Sequence, residues 1–330
     1  MSFPGKFLAA AVIVLAALAI GFWHWAHAPL RLTPTQLDVT IEPRSSLRSV
    51  ARQLERGGVP VNRYLFEGMT RVLSLSSALK AGNYEFSDGI SPYQVLNKIA
   101  RGDVDQYVAQ VIEGWTFARM RAELDQNPAI RHDTAGMTDA QILKAIGAPE
   151  TQAEGLFFPD TYLFAANTSD INIYSRAYRL ARLKLAQAWN GRADGLPLER
   201  PYDALILASI IERETGRADD RAMVSAVFVN RLRVKMPLQT DPSVIYGIGL
   251  SFDGRLTRQD LRTDTPYNTY LRTGLPPTPI SMPGFAALYA ALHPAATPAL
   301  YFVARGDGSS IFSDNLSDHN LAVDKYQRGR

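Results

Sequence analysis

Two glutamates stand two residues apart in the run Ala208-Ser209-Ile210-Ile211-Glu212-Arg213-Glu214-Thr215-Gly216. At spacings of three, four and seven, Glu212 shares a helical stripe with Ser209, Ala208 and Leu205. Because Ala204, Leu205, Leu207 and Ala208 spread over more than one face, this helix is expected to be largely buried. A carboxyl where a buried face meets an opening loses solvation and its pKa rises, which makes it a general acid near neutral pH. The same residues allow a plainer arrangement, with Glu212 paired to Arg213 or Arg217 on a solvated last turn. Glu214 is open to both readings, and spacing does not separate the two glutamates.

Other polar groups are candidates for binding. Glu154 and Asp160, beside Phe157, Phe158 and Tyr162, could hold a sugar through hydrogen bonds and ring stacking, although Phe157-Phe158 equally suits core packing. Gln239, Asp241, Tyr267, Asn268 and Tyr270 lie in turn-rich segments, where a polar side chain either meets substrate or holds its loop. His319 and Asn320 begin or precede a final helix, so capping competes with function. One decoy is Ser77-Ala78-Leu79-Lys80 with Ser313-Asp314-Asn315, the S-x-x-K and S-D-N elements of serine acyl enzymes. Its third element appears only as Arg272-Thr273-Gly274, ahead of S-D-N instead of after it, so the set does not assemble.

Composition removes most competing chemistries. The 330 residues contain no cysteine, which excludes disulfides, thiolate metal sites and cysteine nucleophiles. Histidines stand at 24, 27, 132, 293 and 319, with no H-E-x-x-H pair, and neither G-x-S-x-G nor a Walker A run occurs. No metal and no cofactor are expected. Lys plus Arg number 35 against 32 Asp plus Glu, leaving a charge of +3. Without a basic stripe, nucleic acid is not an expected partner.

The elements that must position these residues follow from patterning. Residues 7–25, FLAAAVIVLAALAIGFWHW, form an uncharged run long enough to cross a bilayer as a helix. Lys6 and Ala26-His27-Ala28 allow a cleaved signal peptide, but the length of the run, Trp23, Trp25 and Pro29 favour a retained anchor. The expected order is a cytoplasmic tail at 1–6, a transmembrane anchor at 7–26, a linker at 27–36, a small α/β module at 37–104 and a catalytic domain at 105–330. Within the module, Leu37 to Ile41 alternates as a strand. Pro43 and Ser45-Ser46 then open a helix closed by Gly57-Gly58, a second helix begins near Asn62, Tyr84 to Phe86 forms a strand and Ser91-Pro92 opens a third helix. A strand at 106–112 and helices at 115–124 and 139–146 come next. Further helices are expected at about 170–190, 202–216, 219–234 and 284–292, and a late hairpin at 300–304 and 310–313 turns at Gly306-Asp307-Gly308. The fold class is α+β, mainly helical in its larger part.

Many short runs in one order resemble the endolytic murein transglycosylase family (MltG/YceG-like). They are EGLFFPDTY at 154–162, ASIIERET at 208–215, VFVNRL at 227–232, LQTDP at 238–242 and YNTY at 267–270. GLPP at 274–277, HPA at 293–295, YFVA at 301–304 and His319-Asn320 complete the series. The resemblance implies a membrane-anchored lyase with its catalytic part outside the inner membrane. Its substrate would be peptidoglycan glycan strands, with peptidoglycan synthases as candidate companions. It also implies a LysM-like module, carried by KAGNY at 80–84 and IARG at 99–102, and places the family's catalytic glutamate on Glu212 rather than Glu214. By that likeness Glu212 protonates the bond between N-acetylmuramic acid and N-acetylglucosamine, and the muramyl 6-hydroxyl closes onto C1 to leave a 1,6-anhydro end. The rival is a non-catalytic, membrane-anchored murein-binding scaffold. At Ser310 the chain departs from relatives that commonly carry histidine before the last strand's phenylalanine.

Overall fold

Alternation in the module becomes a two-stranded antiparallel sheet. β1 (Gln36–Ile41) pairs with β2 (Gly82–Ser87), with Leu37 opposite Phe86 and Val39 opposite Tyr84. Side chains two apart point to one face, so Val39, Ile41, Tyr84 and Phe86 all enter the core. After β1 come α2 (Leu47–Arg56) and α3 (Arg63–Val72), and after β2 comes α4 (Pro92–Arg101). Ser46, Asn62 and Ser91 cap the three helices through their side chains, as helix-start chemistry requires. Val50, Ala51 and Leu54 meet Phe66, Val95, Leu96 and Ile99 in one apolar cluster beneath the sheet. Gly102 ends α4 in the left-handed conformation (φ 71°), where a side chain would be strained.

The computed structural model describes residues 3–33, 35–42, 44–103 and 106–328. Residues 1 and 2 of the expected tail, Pro43 of the expected helix start, and residues 104 and 105 at the expected module boundary lie outside this set. The first helix, α1 (Phe3–His27), begins four residues before the apolar run and includes the end of the expected tail. Its described side chains are those of 10 and 12–27, and among the described residues no helix is long and apolar enough to cross a membrane. The expected linker does not hang free. Leu30 N–H donates to the Ile90 carbonyl (2.9 Å), Gly89 N–H to the Leu30 carbonyl (2.9 Å), and Leu32 N–H to Asp88 Oδ1 (2.8 Å).

The chain divides into two compact units, one of Met1–Tyr107 with Leu163–Thr168 and the other of Val108–Tyr162 with Ser169–Arg330. The remaining elements are β3 (Gln106–Gln110), α5 (Phe117–Asp125), β4 (Ile130–Arg131), α6 (Asp139–Ala145), β5 (Thr161–Ala165) and β6 (Thr168–Ser169). They continue through α7 (Asp170–Asn190), α8 (Pro201–Glu214), α9 (Ala218–Arg233), α10 (Asp241–Ile248), α11 (Phe285–Leu292), β7 (Tyr301–Ala304), β8 (Ser310–Ser313) and α12 (Leu316–Tyr326). The late hairpin is antiparallel, with Val303 opposite Ile311. Mixed helix and sheet make the fold α+β.

Two expectations need correction. Asp241 is not in a turn-rich segment but opens α10, a helix with Pro242 in its first turn, the position where a missing N–H costs nothing. The last helix starts before His319 and Asn320, and its cap is Asn315, whose Oδ1 accepts from Asp318 N–H at 2.9 Å.

The larger core is built around α8. Pro201 sits at its start, and Asp203 Oδ2 accepts from the N–H groups of Arg200 and Glu199 (2.9 and 3.1 Å). Every residue from 204 to 211 is buried, so this helix is covered on all sides. Val224, Phe228 and Val229 of α9 and Leu288, Ala291 and Leu292 of α11 share its cluster. Ser209, the polar residue within the buried run, is fully satisfied. Its Oγ donates to the Ile206 carbonyl (2.7 Å) and accepts from Ile280 N–H (3.0 Å), while its own carbonyl accepts from Ser281 Oγ (3.1 Å).

Candidate functional site

The end of α8 carries three charged residues in succession just where the helix leaves the core. At about 100° per residue they face three directions. Glu212 is half-buried, and its Oε2 accepts a hydrogen bond from the backbone N–H of Gly284 at 2.9 Å. Burial raises its pKa above the ordinary glutamate value, and the neighbouring Glu113 raises it further; the Gly284 N–H and Arg221 oppose the shift. The ion pair with Arg213 or Arg217 is not made. Arg213 Nη1 donates instead to the Gly114 carbonyl (3.3 Å), and Arg217 faces Asp219 (3.8 Å).

Glu214 turns the other way. Thr240 Oγ1 donates to its Oε1, and burial raises its pKa to about 7 despite that bond and the nearby Arg231; Asp241 adds to the rise. Glu154, on the loop before β5, is buried as well. Its Oε1 accepts from Phe117 N–H (3.0 Å) and its Oε2 from Tyr246 Oη (3.2 Å), yet burial still lifts its pKa to about 7.

Two clefts open beside this helix end. One, of about 990 Å³, is lined by Trp115, Phe117, Glu154, Arg213, Tyr246 and Tyr267, among others. Gly114 also lines it, and a Cβ at Gly114 would lie 3.8 Å from Glu212 Cγ, so Glu212 packs directly behind a residue of the cleft wall. The other, of about 600 Å³, is lined by Glu214, Arg231, Gln239, Asp241, Tyr270 and His319 with neighbouring apolar side chains. Both volumes are in the range of small-molecule sites.

The sequence-predicted residues therefore distribute over different places. Glu154 and Tyr267 share the larger cleft, where the Tyr267 hydroxyl bonds Thr278 Oγ1 at 2.9 Å. Gln239, Asp241 and Tyr270 share the smaller one. There Tyr270 Oη donates to Asp241 Oδ1 (2.6 Å) and Arg231 Nη1 to Gln239 Oε1 (3.3 Å). Asn268 is fully buried, and its Nδ2 serves the carbonyls of Leu261 and Thr263 (3.1 and 2.7 Å), which is loop-holding. Asp160 is exposed, and its Oδ1 accepts from the N–H of the next residue (2.7 Å). Phe157 is buried and stacked on Phe117 (4.9 Å), so it packs core rather than offering a ring to a ligand.

Four participants escaped the sequence reading: Glu113, Tyr246, Thr240 and Gly284. Glu113-Gly114 before a helix start was a visible turn signal, but nothing local joins it to residues 212 and 284. Among the described residues no group of three or more His, Asp or Glu converges to hold a metal ion.

The family model described as YceG-like matches residues 39–325. The chain belongs to the YceG-like family. It is 30% identical over 314 residues to the endolytic murein transglycosylase of Bacillus subtilis (strain 168), covering 88% of this chain and 85% of that protein. The protein of the same name from Streptococcus pneumoniae serotype 2 (strain D39) is 22% identical over 361 residues, which cover 97% of this chain and 65% of that one. The crystal structure of a YceG-like protein from Listeria monocytogenes superposes with a TM-score of 0.55 at 29% identity, covering 87% of this chain and 99% of that one. Within the YceG-like fold, Glu212 is a half-buried carboxyl beside Gly114 of the aromatic-walled cleft, with its pKa raised by burial.

Proposed function

We propose that this YceG-like protein is an endolytic murein transglycosylase, a lyase that cuts peptidoglycan glycan strands internally, and that Glu212 is its acid and base. The observation that carries the assignment is Glu212 itself: desolvated at the end of a buried helix, fixed by one N–H from Gly284, and free of an ion pair with its arginine neighbours. Burial raises its pKa above the ordinary glutamate value, the direction that suits a group meant to give up a proton. That proton goes to the glycosidic oxygen between N-acetylmuramic acid and N-acetylglucosamine as the C1–O bond breaks through an oxocarbenium-like state. The resulting carboxylate takes the proton of the muramyl 6-hydroxyl while that oxygen bonds to C1. A 1,6-anhydro end forms, the proton balance closes on Glu212, and no water is consumed. Because the attacking hydroxyl belongs to the same sugar, effective molarity replaces a second nucleophilic residue.

Trp115, Tyr246 and Tyr267 give the larger cleft the stacking faces that sugar rings favour, and Glu154 gives it a polar floor. The apolar run at 7–26 serves as a retained single-pass anchor in the inner membrane, leaving the module at 37–104, LysM-like, and the catalytic part at 105–330 on the periplasmic side. Support for the anchor is the uninterrupted helix Phe3–His27 with the exposed apolar side chains Val12, Ile13, Leu15, Leu18 and Ile20. Mass spectrometry of purified murein digested by the protein tests the reaction. Internal fragments ending in 1,6-anhydro-N-acetylmuramic acid are expected, and reducing ends in their place would mean hydrolysis.

A further inference from the structure

Glu113 has no part in the mechanism above, yet it stands where the geometry around Glu212 is tightest. Its segment is tied to the strand of chain before α11 by two backbone bonds, Gly114 N–H to the Met282 carbonyl (2.9 Å) and Met282 N–H to the Trp115 carbonyl (2.7 Å). Arg213 Nη1 adds a third tie by donating to the Gly114 carbonyl (3.3 Å). These bonds lay the Glu113 side chain over Gly284, so closely that a Cβ on Gly284 would fall inside the Glu113 carboxylate. Gly284 is the residue whose N–H holds Glu212 Oε2. One small patch thus contains an exposed carboxylate, the glycine it rests against, and the half-buried Glu212.

We propose that Glu113 is a positioning residue for Glu212: its carboxylate, seated on Gly284, fixes the loop that frames the Glu212 side chain and sets a negative charge beside it that favours the protonated carboxyl. The inference rests on the reading of Glu212 as the acid. Two like charges at one site resist joint ionisation, and the more buried member keeps the proton. The groups facing Glu212 are Glu113 from the loop, Arg221 from α9 and the Gly284 N–H, while Arg213 on its own helix is turned to the Gly114 carbonyl. Glu113 raises the pKa of Glu212, whereas Arg221 and the Gly284 N–H lower it. Removing the Glu113 charge leaves the lowering groups unopposed except by burial. The acid form is then lost at lower pH, and the alkaline limb of the rate profile moves acidward.

The test uses the full chain and purified murein, with anhydro ends counted from pH 5 to 9. Glu113→Gln keeps the shape over Gly284 and removes the charge. Its rate is expected to fall ~3-fold or more on the alkaline limb relative to its own acid plateau, with KM unchanged. Glu113→Asp, which keeps the charge, should restore most of the alkaline rate. An unshifted alkaline limb in Glu113→Gln, alongside an inactive Glu212→Gln, overturns the role of Glu113 and leaves the acid in place. An active Glu212→Gln instead removes the reading of Glu212 itself. A uniform drop at every pH in Glu113→Gln would mean that Glu113 acts by shape alone, and would overturn the charge effect.

Discussion

At the scale of single residues, burial and not pairing sets the chemistry of this protein. Glu154, Glu212 and Glu214 all have raised pKa values with desolvation as the leading cause, and each retains only partial compensation from a backbone or side-chain donor. A carboxyl whose folded pKa exceeds its unfolded one stabilises the fold fully below the unfolded value and loses that contribution as pH rises through the folded value. For Glu154 the window runs from its ordinary 4.5 to about 7. Thermal unfolding followed by circular dichroism should therefore show falling stability between these pH values. Glu154→Gln, which cannot ionise, should reduce that fall by an amount on the order of 3 kcal/mol. An identical slope in the variant would contradict the burial of an ionisable group at that position.

Among the elements, the burial of α8 was readable from sequence because its apolar residues spread over more than one face, while its observed span of Pro201–Glu214 ends two residues short of the expected one. The module's order of strand, two helices, strand and helix was readable for a similar reason: Ser46, Asn62 and Ser91 carry cap chemistry that is local. The helix at Asp241–Ile248 was not, since Thr240-Asp241-Pro242 suits a turn and a helix start equally, and only the surrounding packing chooses between them. Nor was the contact of Glu113 with Gly284, because the hydrogen bonds that bring them together span more than a hundred and sixty residues of chain, as Gly114 to Met282 shows. The loop from 260 to 270 depends on Asn268 in a way its exposed neighbours do not. Asn268→Ala leaves the carbonyls of Leu261 and Thr263 without their donor and should cost about 2–3 kcal/mol in denaturant unfolding. A loss below about 0.5 kcal/mol would show that water replaces the side chain there.

Across the whole molecule, the chain divides into two compact units, Leu163–Thr168 joining the first, with one core around Phe66, Tyr84 and Phe86 and the other around α8, α9 and α11. The family match begins at residue 39 and so includes most of the smaller unit as well as the larger. Outside the match lies the apolar helix, whose assignment as an anchor belongs to this scale. Fractionation of cells producing the full chain should leave it with the membranes after a high-salt wash, and sequencing of its mature amino terminus should find residues upstream of Ala28. A soluble protein beginning at Pro29 would instead identify a cleaved signal.

The central claim is that one glutamate at the end of α8 performs the proton transfers. It is tested by counting 1,6-anhydro ends released from purified murein by the wild type and by Glu212→Gln, with unfolding curves establishing that both are folded. Since positioned acid–base groups contribute about 10²–10⁴-fold, Glu212→Gln is predicted to release at least ~100-fold fewer ends with its unfolding midpoint at or above that of the wild type. Undiminished release by a folded Glu212→Gln would contradict the account.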